Sequence, residues 1–236
     1  MRVAAVQFKA HKGDRAGSLA RLATLVERAG SWKPDLVVLP EMAATGYLFD
    51  GPDAARVVAE EAEGPTLSAL APLAAAHGCW LVVGFPEVDG EQLFNSALVV
   101  DPHGELRFVY RKTLLYEADL PWAQPGDSGY ARFETDHGAF GVGICMDLND
   151  DRFVDWCASS ELRVVALPTN WLYEGYRVWP YWAWRMRGLQ AALVAANSWG
   201  PEEQLVFSGR SAVLHGSQVL AAAPFTGDAV IRAELE

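Results

Sequence analysis

Gly138–Phe153, GAFGVGICMDLNDDRF, is the stretch around which the chain is organised. Ala139 to Ile144 is an apolar run rich in small residues, which predicts a buried strand that other backbone approaches closely. The run ends at Cys145. A polar turn with Asp147, Asn149 and Asp150 follows, and a helix is expected from about Asp151. A cysteine held between a strand and a helix can sit among unpaired backbone N–H groups, as a nucleophile requires. The same residue reads equally well as an ordinary core cysteine, since free Cys is among the most buried residue types.

Outward from this stretch the chain alternates apolar runs with amphipathic ones. Strands are predicted at Arg2–Phe8, Asp35–Leu39, Trp80–Phe85, Ser96–Val100 and Leu106–Tyr110. Further strands are predicted at Val164–Leu167, Ala192–Ala196, Ser211–Leu214 and Ala229–Ala233. A helix ends near Ala29, with Leu19, Leu22, Leu25 and Val26 on one face, and a second covers Thr66–His77. Strands that are apolar throughout imply sheets covered on both faces, here by helices on one side and a second sheet on the other. No linker, repeat or low-complexity stretch divides residues 1–236, so one domain is expected. Trp171–Trp184 stands apart, with seven aromatic residues in fourteen. It reads as a loop entering a helix that lines a pocket or a subunit contact, or else as aromatics capping the core.

Composition narrows the function. With 51% hydrophobic and 21% charged residues the chain has the makeup of a globular protein. Its net charge of −11 argues against nucleic acid and anionic membrane surfaces as partners. No run approaches the roughly 20 apolar residues of a membrane helix, and the first strand is too short for a signal-peptide core. Cys79, Cys145 and Cys157 are an odd number at unrelated spacings, which suggests neither a disulfide framework nor a zinc site. No metal or other cofactor is expected, and a reducing cytoplasm fits best.

Two further residues close strands of their own. Glu41 follows Val37, Val38, Leu39 and Pro40, where a carboxylate needs a partner and desolvation would raise its pKa into the range of a usable base. Lys112 follows Phe108–Tyr110. Alone it reads as a solvated charge. Together, Glu41, Lys112 and Cys145 form a base, a cation and a nucleophile, each at a strand end, where α/β sheets place ligands. A free thiol with pKa about 8.5 is only about 3% thiolate at pH 7, so a base that takes its proton is needed. The lysine, with the N–H of Met146, could then stabilise an oxyanion. The five histidines lie mostly in turn contexts, and none is an evident partner for the cysteine.

LPEMAATGY (Leu39–Tyr47), YRKTLLY (Tyr110–Tyr116) and GVGICMD (Gly141–Asp147) together resemble the three motifs of the carbon–nitrogen hydrolase (nitrilase) superfamily. LPTNW, RMRGLQAALVAANSWG and FSGRS extend the resemblance over nearly the whole chain. It implies a four-layer αββα sandwich, with Glu41 as base, Lys112 at the transition state and Cys145 as nucleophile. It also implies hydrolysis of a non-peptide amide or nitrile through a thioacyl-enzyme, without metal or cofactor. PEMAATGYLF, YRKTLLYEADLPWA and GICMDLN are most similar to protein N-terminal asparagine/glutamine amidases. Leu114 stands where members often carry histidine, and either Glu117 or Asp119 is available as the second acid. Gln190 stands where a charged partner is common.

The main expectation is an amidohydrolase that releases ammonia from a side-chain carboxamide. For a peptide N-terminus the α-ammonium needs an anion, for which Asp147, Asp119 and Glu117 are candidates. Asp147 is favoured for its closeness to Cys145, although a turn carboxylate satisfied by backbone N–H groups is the competing reading. A free small amide with a second carboxylate would need an arginine, Arg177 or Arg185. Met146, Asn170 and Trp171 are expected to line the pocket, whose width depends on the loops Asn170–Tyr181 and Glu117–Gln124. Acyl transfer and a non-catalytic binding protein are the rival readings. Since the chain ends soon after the last predicted strand, a long C-terminal arm is not expected, and a monomer or homodimer is.

Overall fold

The computed structural model describes residues 1–236. In the N-terminal half, strands β1 (Arg2–Gln7), β2 (Leu36–Val38), β3 (Trp80–Asp89), β4 (Gln92–Val100) and β5 (Leu106–Arg111) form one sheet. Helices α1 (Arg15–Gly30), α2 (Pro52–Arg56) and α3 (Pro65–His77) interrupt them. A second sheet contains β6 (Ala131–Thr135), β7 (Gly138–Val142), β8 (Val164–Thr169) and β9 (Ala192–Asn197). Helices α4 (Asp151–Ser159) and α5 (Trp179–Arg185) belong to this half. The hairpin β10 (Trp199–Glu202) and β11 (Leu205–Ser208) follows, and β12 (Ala212–His215), β13 (Gln218–Ala222) and β14 (Ala229–Glu234) end the chain.

The two six-stranded sheets run β14-β1-β2-β3-β4-β5 and β13-β12-β9-β8-β7-β6. In both, the central strands pair in parallel: β1 with β2, β2 with β3, β7 with β8 and β8 with β9. The last strand, β14, returns to pair antiparallel with β1, so the two ends of the chain close one sheet edge.

Alternation along the buried strands divides the core into layers. Val3, Ala5, Leu36, Val38, Val82 and Val99 of the first sheet pack against Val142, Val164, Ala166 and Val194 of the second. The opposite face of the first sheet (Ala4, Val6, Val37, Leu81, Val83) packs on Leu22, Val26, Leu70 and Ala74 of α1 and α3. The opposite face of the second (Val165, Leu167, Leu193) packs on Phe153 and Cys157 of α4 and Trp182 of α5. Helix, sheet, sheet, helix is the expected αββα sandwich. Burial at every position of β2 and β8, apolar throughout except for Thr169 at the end of β8, follows from this, since each strand is covered twice.

The structure corrects several boundaries. The strand before Cys145 stops at Val142, and Cys145 opens a 3₁₀ turn, Cys145–Asn149, before α4 begins at Asp151. A Cβ on Gly143 would come within 2.5 Å of the Phe153 ring, so α4 packs onto backbone at this corner. β6 and β13 are the two edges of the second sheet, and their mixed burial conceals the strand period. The segment Trp171–Trp184 does enter a helix, which ends at Arg185.

Candidate active site

Glu41 lies just past the carboxyl end of β2, Cys145 past that of β7, and Thr169 and Asn170 at that of β8. β5 is antiparallel to β4, which is antiparallel to β3. It therefore runs the same way as β2 and delivers Lys112 to the same edge. Strand direction within each sheet, with the packing of the two sheets on each other, thus gathers four segments at one end of the sandwich.

Lys112, Glu41 and Asp119 form a wholly buried ionic cluster. Lys112 Nζ donates to Glu41 Oε1 at 2.8 Å and to Asp119 Oδ2 at 2.6 Å. Asn95 Nδ2 ties the two carboxylates from the other side, donating to Glu41 Oε1 at 2.6 Å and Asp119 Oδ1 at 3.0 Å. The Tyr116 N–H donates to Asp119 Oδ2 at 3.0 Å. Both Asp119 oxygens and Glu41 Oε1 are thereby occupied. Glu41 Oε2 is buried and has no hydrogen-bond partner.

Electrostatics follow from this burial. Burial pushes the Glu41 carboxyl up, against the pull of the Lys112 charge. Burial alone would strip Lys112 of its proton, but the Asp119 and Glu41 carboxylates hold it well above the usual lysine range. The Cys145 thiol is pushed up to about 12, first by burial and then by the Glu41 charge, with Lys112 opposing. Thr169 and the Asn170 backbone also favour its ionised form. Burial and the Glu41 charge thus both favour the thiol of Cys145 over its thiolate.

The backbone at both residues is fixed by close approach. Cys145 has φ 45°, a left-handed conformation that a side chain rarely adopts outside a constrained corner. Glu41 is held against β3: the Gly84 N–H donates to Pro40 O at 3.0 Å and the Ala43 N–H to Gly84 O at 2.9 Å. A Cβ on Gly84 would lie 2.4 Å from Glu41 Cα. Gly84→Ala is expected to displace Glu41 and lower kcat at least tenfold, the cost of a small misplacement of a reacting group. Unchanged turnover in that variant would show that Glu41 tolerates being moved.

Cys145 opens onto a cavity of about 290 Å³ lined by Tyr47, Tyr116, Met146, Asn170 and Trp171 among others. The chain matches the carbon-nitrogen hydrolase family model over residues 2–236. It belongs to the carbon–nitrogen hydrolase family. It is 32% identical over 169 residues to a protein N-terminal amidase of Saccharomyces cerevisiae, covering 59% of this chain and 37% of that protein. It thus spans little more than a third of that relative's length. A nitrilase of Pyrococcus abyssi is 31% identical over 242 residues, which take in 100% of this chain and 90% of that protein. The amidase of Nesterenkonia sp. AN1, solved as a double mutant in complex with acrylamide, superposes with a TM-score of 0.89. Identity to it is 26%, over 100% of this chain and 90% of that chain. Membership of the family makes this protein a hydrolase acting on carbon–nitrogen bonds.

Within this carbon–nitrogen hydrolase fold, Glu41, Lys112 and Cys145 share one site, and Met146, Asn170 and Trp171 line its cavity. Asn170 Nδ2 also donates to Glu41 O at 3.0 Å, tying the two sheets together at the site. Of the three residues expected as an ammonium-binding anion, Asp147 and Asp119 have both carboxylate oxygens occupied, and Glu117 is not among the residues lining the cavity. Asp147 is buried and does not line the cavity. Its Oδ1 accepts from the Thr113 N–H, the Thr113 hydroxyl and the Leu114 N–H, and its Oδ2 from the Tyr110 hydroxyl and the Ile144 N–H. It clamps the Lys112 loop to the Cys145 turn. Asp119 sits behind Lys112, and Glu117 is exposed and bonded to the Tyr116 hydroxyl. The acid paired with Lys112 is thus Asp119.

Neither arginine expected to meet a substrate carboxylate reaches the cavity. Arg185 bonds Leu148 O and Asp151, and Arg177 stacks on Trp179 along a separate groove. Asn95 and Thr169 are the site residues that sequence reading missed. No histidine lines the cavity.

Proposed function

We propose that the protein is a cysteine amidohydrolase that releases ammonia from a substrate carboxamide, with Cys145, Glu41 and Lys112 as its catalytic residues. The observation that carries this reading is the unpartnered Glu41 Oε2, one oxygen of a carboxylate whose other oxygen is anchored by Lys112 and Asn95. Glu41 takes the thiol proton as Sγ bonds to the carboxamide carbon. Lys112 has three N–H donors and gives two to carboxylates, so the third serves the developing oxyanion. Glu41 returns the proton to the leaving nitrogen, the C–N bond breaks and ammonia departs from a thioacyl-enzyme. Water then loses a proton to Glu41 and bonds to the acyl carbon. The C–S bond breaks, and the proton goes back to sulfur. Asp119 and Asn95 are positioning residues, which fix the direction of Lys112 and Glu41.

The substrate class we favour is a peptide with N-terminal asparagine or glutamine. A free ω-amide carrying a second carboxylate is the alternative, and the cavity wall supplies no basic side chain for it. The reading includes a monomer or homodimer working in the cytoplasm. Ammonia release tests it on peptides with N-terminal Asn or Gln, free asparagine and glutamine, ω-amides and simple aliphatic amides. Release from the peptides above all others is expected. Release confined to free amides would leave a small-molecule amidase, and silence on every substrate would overturn the reading.

A further inference from the structure

Glu174 is the one carboxylate among the residues that line the cavity, which include no lysine, arginine or histidine, and it stands in the exposed rim. The Tyr176 hydroxyl donates to its Oε2 at 2.5 Å, which leaves Oε1 without a protein partner. The deeper carboxylates are unavailable to a substrate cation: Asp119 and Asp147 have both oxygens occupied, and the free oxygen of Glu41 is needed for the proton.

The segment that carries Glu174 is pinned on both sides. The Tyr173 N–H donates to Val206 O at 2.7 Å, and Arg210 Nη1 donates to Tyr176 O at 3.0 Å. Tyr116, Trp171 and Tyr181 add aromatic surface to the same cavity, whose ring faces suit a cation. A substrate carboxylate entering at this mouth would meet Glu174 and no basic side chain in the cavity lining, since Arg210 is turned to Tyr176 O and the Tyr173 ring.

We propose that Glu174 is a specificity-determining residue, whose carboxylate at the cavity mouth takes an ammonium carried by the substrate near its carboxamide. The inference rests on the amidohydrolase function proposed for this site, and the group is then the α-ammonium of a peptide beginning with Asn or Gln. The carboxamide reaches inward to Cys145, and the peptide chain leaves over the exposed rim.

The test compares kcat/KM for a peptide with free N-terminal Asn, the same peptide N-acetylated, and propionamide, in the wild type and in Glu174→Gln. The ratio of free-amine peptide to propionamide is expected to fall about tenfold in the variant, mostly through KM, as for loss of a hydrogen bond to a charged group at an exposed position. In the wild type, kcat/KM for the free-amine peptide is also expected to fall as pH rises through the α-amino pKa of about 7.7–8.0. Glu174→Gln flattens that limb. Glu174→Lys is expected to shift preference toward an amide that bears a carboxylate. A ratio and pH limb unchanged in Glu174→Gln, with the wild type active on peptide and propionamide, would overturn the inference alone. Equal use of the free-amine and acetylated peptides by the wild type would do the same. A wild type silent on all three substrates would overturn the amidohydrolase reading and this inference with it.

Discussion

Cys145→Ala is expected to lower ammonia release by about 10⁴-fold or more while leaving the fold intact. In the proposed mechanism the thiol is the group that bonds to the acyl carbon, so no other group in the cavity inherits its task. Cys145 sits at a left-handed corner, and alanine accepts that φ no worse than cysteine does, so unfolding midpoints should move little. Cys79 and Cys157 provide the internal control. Burial pushes both thiols up to about 12, as it does Cys145, yet neither lines the cavity. Alanine at either position is expected to leave kcat within a few-fold, because similar acidity without access gives no chemistry. The acid limb of the wild-type rate reports the base. Glu41 works only when ionised, and burial raises its pKa, so activity falls with decreasing pH from a point above the usual glutamate value of about 4.3.

Lys112→Met is expected to lower kcat by at least about 10²–10³-fold and to destabilise the fold by about 3–5 kcal/mol. The kinetic loss follows from removing the donor for the oxyanion. The stability loss has another cause: methionine fills the volume but leaves Glu41 and Asp119 facing each other, buried, without a countercharge. The two effects can be separated. Adding Asp119→Asn to Lys112→Met removes one of the stranded charges, so urea unfolding should recover part of the lost stability. Turnover should stay low, because no ammonium has been restored. Recovery of turnover in the double variant would show that Lys112 acts only through the fold.

The catalytic set was legible because each member closes an apolar strand. Val37–Leu39 before Glu41, Phe108–Tyr110 before Lys112 and Ala139–Ile144 before Cys145 are weak signals singly and strong in combination, and all three segments end at one edge of the sandwich. Asn95 gave no such signal. It sits inside the buried strand β4, where the polar pair Asn95–Ser96 looks like a strand boundary, and only the fold brings it between two carboxylates. Asp147 was misread for a related reason. Two residues from the nucleophile it could face the cavity or the backbone, and five donors from Tyr110, Thr113, Leu114 and Ile144 settle that contest. Choosing Asp119 over Glu117 required the turn Tyr116–Asp119, whose N–H and carboxylate meet at 3.0 Å. Glu174 lay within a stretch legible only as aromatic-rich. Its place at the cavity mouth depends on the contacts of its neighbours with β11 and Arg210, far along the chain.

Hydroxylamine tests the thioacyl-enzyme most directly. Added to the wild type turning over a carboxamide, it competes with water for the acyl carbon and converts Cys145-bound acyl to a hydroxamate. The hydroxamate fraction is expected to rise with hydroxylamine concentration and the free acid to fall in step. Ammonia release should not slow, since that nitrogen has already left. Cys145→Ala should form no hydroxamate. Ammonia released with free acid as the only product at every hydroxylamine concentration would mean that water attacks the carboxamide directly, and would contradict a nucleophilic Cys145.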